Sequence, residues 1–186
     1  MQLAAVAAML AGVRAARAES ATAWQAVAAG GHLVLLRHAL APGTGDPQNF
    51  RLDDCATQRN LSDEGRDQAR AIGAAFRRRD IAVGGVLSSQ WCRCLETARL
   101  LDLGPVTPLP ALNSFFRRTE RRAPQMAALK EWIAALEPGP SLVLVTHQVN
   151  ITAATGVFPA SGEGMVVRPD VDGELTLVGR LPAPPV

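Results

Sequence analysis

Apolar positions along this chain follow two rhythms. Leu33-Val34-Leu35-Leu36, Val83 to Leu87 and Leu142-Val143-Leu144-Val145 are short runs without a polar residue, the pattern of strands covered on both faces inside a parallel sheet. Between them, apolar residues recur every three or four positions. Ala69, Ile72 and Phe76 mark a helix that starts after Ser62, an N-cap with Asp63 and Glu64 behind it, and runs to Arg79. A second helix is predicted from about Gln90 to Leu101 with Ser88-Ser89 as its cap. A third opens at Pro124, carries Met126, Leu129, Ile133 and Leu136 on one face, and closes at Pro138-Gly139. A fourth spans Asn150 to Thr155 and stops at Gly156. Ala23 to Ala29 adds one or two turns ahead of Gly30-Gly31. Val106 to Leu109, flanked by Pro105 and Pro110 and containing Pro108, is confined to an edge. Met165 to Arg168 and Glu174 to Val178 form an antiparallel pair around Asp172-Gly173.

Strand and helix alternate throughout, which predicts one α/β domain: a three-layer sandwich with a mostly parallel central sheet, helices on both faces and an antiparallel edge hairpin. Residues 40–60 hold no sustained period and carry Pro42, Gly43, Gly45, Pro47, Asn49, Asp53 and Asp54. A loop of that length within a compact domain points to a working role. Arg77, Arg78 and Arg79 read as a solvated helix end.

Composition sharpens the picture in three places. With 186 residues and 48% hydrophobic content the chain has material for one substantial core. Residues 1–18 read as a secretory signal, an apolar run from Leu3 to Val13 followed by Ala16-Arg17-Ala18, leaving 19–186 as the domain and a periplasmic or secreted location; without cleavage the protein is cytoplasmic. That run is too short to span a membrane, so no stable insertion is expected once it is removed. Losing Arg14 and Arg17 takes 19 basic residues to 17 against 17 acidic, a net charge of zero, which argues against nucleic acid or a membrane surface as partner. Lys130 is the only lysine, so the basic side chains are nearly all guanidiniums. Of the three cysteines, Cys55 is positioned to pair with either Cys92 or Cys94 in an oxidising compartment, leaving one thiol.

The chemistry sits at strand ends. His38 and His147 each follow a buried strand directly, Arg37 precedes the first, and Arg93 follows Ser88-Ser89; His32 begins a strand and reads as structural. Open α/β sheets bind ligands beyond the carboxyl ends of their strands. Two imidazoles, two guanidiniums and a helix N-terminus gathered there suit a phosphoryl group: a guanidinium fork matches its oxygens, and a neutral imidazole can attack phosphorus. For attack, one nitrogen of His38 must be bare, with the other donating to a backbone carbonyl.

The chain resembles the histidine phosphatase superfamily, also called phosphoglycerate mutase-like. The resemblance rests on Leu36-Arg37-His38-Ala39, on Asn60-Leu61-Ser62-Asp63-Glu64-Gly65 with Gln68-Ala69, on Ser88 through Ala98, and on Val143-Leu144-Val145-Thr146-His147, spanning roughly residues 31–150. It implies phosphoryl transfer to His38 without metal or other cofactor, from a small phosphorylated substrate, with Arg37, Arg93 and His147 holding the phosphoryl oxygens. Two positions depart from the family. Ala39 replaces its usual Gly, and Asn113 and Gln148 stand where many members carry the acid that protonates the leaving oxygen. Asp53, Asp54, Glu120 and Glu163 are the loop carboxylates available instead, each reading first as a surface charge. Arg117, Arg118, Arg121 and Arg122 form either a cationic lip for an anionic substrate or a solvated loop. Three rivals accompany the phosphatase reading: a phosphate or phosphosugar binding module without turnover, a phosphomutase, and a redox or metal protein built on Cys92-x-Cys94.

Overall fold

The computed structural model describes residues 19–184. The expected leader therefore falls outside the described residues. Residues 19–29 are helical (α1) and lead into β1 (Leu33–Arg37), α2 (Asp63–Arg77), β2 (Gly85–Ser88), α3 (Cys92–Leu101), β3 (Val106–Pro108), α4 (Arg122–Ala134), β4 (Leu142–Thr146), α5 (Gln148–Thr155), β5 (Gly164–Pro169) and β6 (Leu175–Leu181). The six strands form one sheet in the order β3-β2-β4-β1-β5-β6. Pairs β3-β2, β2-β4 and β4-β1 are parallel, while β1-β5 and β5-β6 are antiparallel. The anticipated sandwich is present, with β3 on one edge and the hairpin on the other.

The unbroken apolar runs divide between two cores by strand alternation. Val34 and Leu36 of β1, with Val143 and Val145 of β4, face a layer that includes Val27, Ile72, Phe76, Ala98 and Leu101 from α1, α2 and α3. Leu33, Leu35 and Leu144 face the other way, toward Leu129, Ile133 and Ile151 from α4 and α5. Glycine sets how close α2 comes. A Cβ on Gly73 would lie 1.8 Å from the Leu101 carbonyl oxygen, and one on Gly65 would lie 2.0 Å from that of Leu40. Gly65 thus lets α2 press against the chain leaving β1, where the site lies.

All five helices differ from the sequence-based bounds: α2 ends at Arg77 rather than Arg79, and the other four start elsewhere than expected. The first is already helical at residue 19, ahead of Ala23, and Trp24 packs edge-on against Phe76 at 4.9 Å and anchors α1 on α2. α3 starts at Cys92 with Trp91 as its N-cap and no side-chain cap; the serines expected to cap it are engaged elsewhere, with Ser88 in β2 and Ser89 against His147. α4 starts at Arg122 because a 3-10 turn over Thr119–Arg121 runs straight into it. α5 starts at Gln148, which makes His147 its N-cap residue. The arginines at the end of α2 are also less free than a solvated helix end. Arg77 donates to the carbonyls of Leu101 and Asp102 at 2.6 and 2.9 Å, and Arg79 lies 4.4 Å over the Trp24 ring.

Candidate active site

Register brings the two histidines together. β1 and β4 are parallel neighbours with Arg37 opposite Thr146, so the next residue on each strand is His38 on one side and His147 on the other. Their rings meet edge to face with centroids 5.6 Å apart, and both residues are buried, at 2% and 3% exposure. The backbone N–H of His38 donates to the Thr146 carbonyl at 3.0 Å, and that of Arg37 donates to the Glu163 carbonyl at 3.0 Å.

The His38 ring has one accessible role. Its Nδ1 lies 2.8 Å from the Ala39 carbonyl oxygen; a carbonyl only accepts, so Nδ1 carries the proton and Nε2 keeps its lone pair. Burial, then the charges of Arg93, Arg59 and Arg37, push the His38 pKa well below the usual imidazole value against the opposing Ala39 bond. Ala39, found where the resembling family has Gly, packs its methyl in a small cluster with Ala41, Leu61 and Ala69, while its N–H donates to Thr97 Oγ1 at 3.1 Å. The methyl group is thus accommodated.

His147 is neutral for related reasons: burial first, then Arg93, His38, Arg59 and Arg37. Its Nε2 lies 2.8 Å from Ser89 Oγ, which also receives the Trp91 N–H and donates to Asn113 Oδ1 at 3.3 Å. With the hydroxyl proton given to Asn113, Nε2 of His147 is the donor in this chain. Trp91 stands edge-on to His147 at 5.3 Å and carries Phe50 stacked on it at 5.1 Å. The Cys94 thiol lies 3.5 Å from His147 Nε2, and burial raises its pKa to about 12, so it is no nucleophile.

Around the imidazoles stand three guanidiniums, one more than expected from the sequence. Arg37 Nη1 donates to the Pro159 carbonyl at 2.8 Å. Arg93, 3% exposed, forks onto Asp46, Nη1 to Oδ1 at 2.6 Å and Nη2 to Oδ2 at 3.2 Å. Arg59 donates through Nε to Gly45 O at 2.8 Å and through Nη1 to Ala41 O; burial and then Arg93 bring its pKa down to about 10, which leaves it charged at neutral pH. The Nε of both Arg37 and Arg93 is buried with no partner. Each of these guanidiniums keeps open the side edge with which arginine grips an oxyanion.

Sequence reasoning missed Arg59 and Asp46. Arg59 directly precedes the Asn60-Leu61-Ser62 landmark, so its neighbours were the available signal; Asp46 lies in the aperiodic loop and had none. The four carboxylates considered as acids are placed otherwise. Asp53 and Glu120 are exposed, and Asp54 caps the 3-10 turn Cys55–Thr57 and pairs with Arg51. Glu163 is not the surface charge expected: it is buried, with Oε1 held by Arg180 and Oε2 by the Ala160 N–H, because it pins the segment after Pro159 to β6. Asn113 is bound to Gln90 and Ser89, and the Gln148 amide donates to Thr152 Oγ1 at 2.8 Å. The open pairing of cysteines resolves as Cys55–Cys92, which removes one member of Cys92-x-Cys94 as a metal or redox ligand. Among the described residues no group of three or more His, Cys, Asp or Glu is gathered to hold a metal ion, and no helix is long and apolar enough to cross a membrane. His32 bonds through Nδ1 to Gly30 O at 2.7 Å, in line with a structural role.

Comparison with known proteins gives a family match and a set of similar folds. Residues 33–116, which include Arg37, His38, Arg59 and Arg93, match the family model of the histidine phosphatase superfamily (branch 1). No curated protein matches the chain. Among solved structures, the protein histidine phosphatase SixA complexed with tungstate is 17% identical, with 81% of this chain and 96% of that one covered and a TM-score of 0.55. A mycobacterial glucosyl-3-phosphoglycerate phosphatase is 18% identical over 82% and 99%, with a TM-score of 0.58. A second mycobacterial protein, described as hydrolase 2, is 19% identical over 83% and 92%, with a TM-score of 0.59. At such identities the likeness is one of fold.

Proposed function

We propose, from the premise that this chain belongs to the histidine phosphatase superfamily, that it hydrolyses a phosphorylated small molecule through a phosphohistidine on His38. Nε2 of His38 attacks phosphorus as the bond to the leaving oxygen breaks and that oxygen takes the electron pair. Water then attacks the phosphohistidine, which releases inorganic phosphate and returns the imidazole. The open Nε edges of Arg37 and Arg93 receive the phosphoryl oxygens, Arg59 adds charge, and His147 closes the pocket. The charge-stabilising role belongs to arginines, so the reading is metal-independent. One donor aimed at the developing charge contributes roughly 10² to 10³ in rate, and alignment with Nε2 contributes more.

The observation that carries this reading is a neutral imidazole, pinned through Nδ1 to Ala39 O, beside the guanidiniums of Arg37 and Arg93, whose buried Nε atoms have no partner. The substrate class follows from amides at Asn113 and Gln148. With no acid there, turnover favours leaving groups that depart without strong protonation, such as phosphohistidine, anhydride or aryl phosphate. Export accompanies this reading, since a disulfide beside the site suits an oxidising compartment; mass spectrometry of the mature N-terminus tests it, with a first residue at Glu19 expected.

The test of function is hydrolysis of an activated aryl phosphate in excess chelator. Turnover should fall below detection in His38→Ala, acid quenching of wild type should trap an acid-labile phosphoenzyme, and rates should drop steeply as the leaving-group pKa rises. The same missing acid supports a second reading, a phosphate-binding module. Binding of inorganic phosphate without turnover of any activated ester would establish that module and end the enzymatic reading.

A further inference from the structure

The carboxylate of Asp46 lies against the most buried guanidinium of the site. Two of its contacts are the end-on fork to Arg93, at 2.6 and 3.2 Å. The Trp91 indole N–H reaches its Oδ2 at 3.0 Å and the Arg59 backbone N–H reaches its Oδ1 at 3.2 Å. Four donors therefore converge on one carboxylate. The remaining contact of Arg93 is Nη1 to the Arg59 carbonyl at 3.2 Å, and its Nε has none. A guanidinium offers one edge through both Nη atoms and another through Nε and Nη2. Asp46 holds the first and leaves the second.

We infer that Asp46 is a positioning residue for phosphoryl binding: it grips Arg93 end-on and so aims the Nε/Nη2 edge at the phosphoryl group. This rests on the phosphoryl-transfer reading above. A carboxylate already receiving four donors is poorly placed to deliver a proton, and burial, which pulls its pKa up, is overcome by Arg93, Trp91 and Arg59, so the group is held below its ordinary value and stays ionised. It also sets one negative charge among Arg37, Arg59 and Arg93, which otherwise repel one another. A contrary role exists for the same contact. Were Asp46 a resident anion that the substrate must displace, removing its charge would tighten phosphate binding; a positioning role predicts the reverse.

The test uses Asp46→Asn in the full protein, with inorganic phosphate binding by calorimetry and kcat and KM on an activated aryl phosphate. The expected result is weaker phosphate binding, a raised KM and a fall in kcat/KM of about 10²-fold, the scale of a misplaced active-site group. In an Arg93→Lys background the same substitution should add little, because Asp46 acts through Arg93. Trp91→Phe, which removes one of the four donors and leaves the ion pair, should shift KM the same way by less, and it serves if Asp46→Asn fails to fold. Tighter phosphate binding in Asp46→Asn, unchanged kinetics, or full additivity with Arg93→Lys would overturn the assignment. Wild type that neither binds phosphate nor turns over the ester would instead overturn the functional reading beneath it.

Discussion

The strand ends and the 40–60 loop reach the same pocket, but they hold their side chains by different means. Arg37, His38 and His147 extend from β1 and β4, where five paired positions fix the register and apolar side chains cover both faces. Asp46 and Arg59 come from a segment whose described regular structure is one 3-10 turn, Cys55–Thr57. Beside the Phe50–Trp91 stack, polar and covalent ties hold it. Gln58 donates to the carbonyls of Arg51 and Leu52 and accepts from the Cys92 N–H, while Cys55 is bonded to Cys92. The sheet places the nucleophile, and a fastened loop arranges what aims the cations. Each region should therefore fail under different conditions.

The largest separation between them should come from cutting the disulfide. Cys55→Ser with Cys92→Ser opens a link across a sequence separation of 37 residues, for which the chain-entropy estimate gives a loss of about 4 kcal/mol. Denaturant unfolding would read that loss. Activity should follow the loop: a raised KM through Asp46 and Arg59, with His38 still able to form the phosphoenzyme from an activated ester. Equal loss of phosphoenzyme and of affinity would show that the two regions are one unit.

That division also explains how much of the site was legible in the sequence. Strand ends announce themselves, because Leu33 to Leu36 and Leu142 to Val145 are unbroken apolar runs and the two residues after each, Arg37-His38 and Thr146-His147, are delivered at the sheet's edge. Arg93 was legible through the motif around Ser88 to Ala98. Asp46 was not, since its role depends on where a loop without period folds back, and no local propensity encodes a contact with Arg93, 47 residues on. The serines before α3 show the same limit. They have the composition of a helix cap, yet a tertiary partner, His147, takes the hydroxyl of Ser89. Cys55 left two partners open for the same reason.

A second, smaller contrast lies in pH. His38 and His147 have folded pKa values well below 6.5, from burial first and then Arg93. The native state then binds fewer protons than the unfolded chain, so their contribution is complete above about pH 6.5 and is lost as pH falls below it, by at most about 1.4 kcal/mol per pH unit for each ring. Asp46, held below its ordinary carboxyl value of 3.8, keeps its ion pair until pH falls below that value. Between about pH 4 and 6.5 the strand ends weaken while the loop contact to Arg93 persists. Unfolding free energies at pH 5 and pH 7.5 should differ in that direction, and the difference should shrink in His38→Ala. Through the same window kcat/KM should show no break near pH 6.5, because the folded nucleophile stays unprotonated.

The smallest effect is predicted at the outer rim of the loop. Arg117, Arg118, Arg121 and Arg122 are exposed and none forms an ion pair among the described residues. Arg117 lies against the site loop: its guanidinium stands where a Cβ on Gly45, one residue before Asp46, would be 3.1 Å away. A cation there attracts an anionic substrate through solvent and is screened by salt, so its contribution is that of an exposed pair, about 0.2 to 1 kcal/mol. Arg117→Ala should raise KM by about 1.4- to fivefold at low ionic strength and leave kcat unchanged, whereas Arg121→Ala should change neither KM nor kcat. The difference should vanish in high salt, which Asp46→Asn, acting on a buried guanidinium, should not. If Arg117→Ala lowers kcat instead, the rim acts on the loop that aims Arg93, and the division between steering from outside and aiming from within no longer holds.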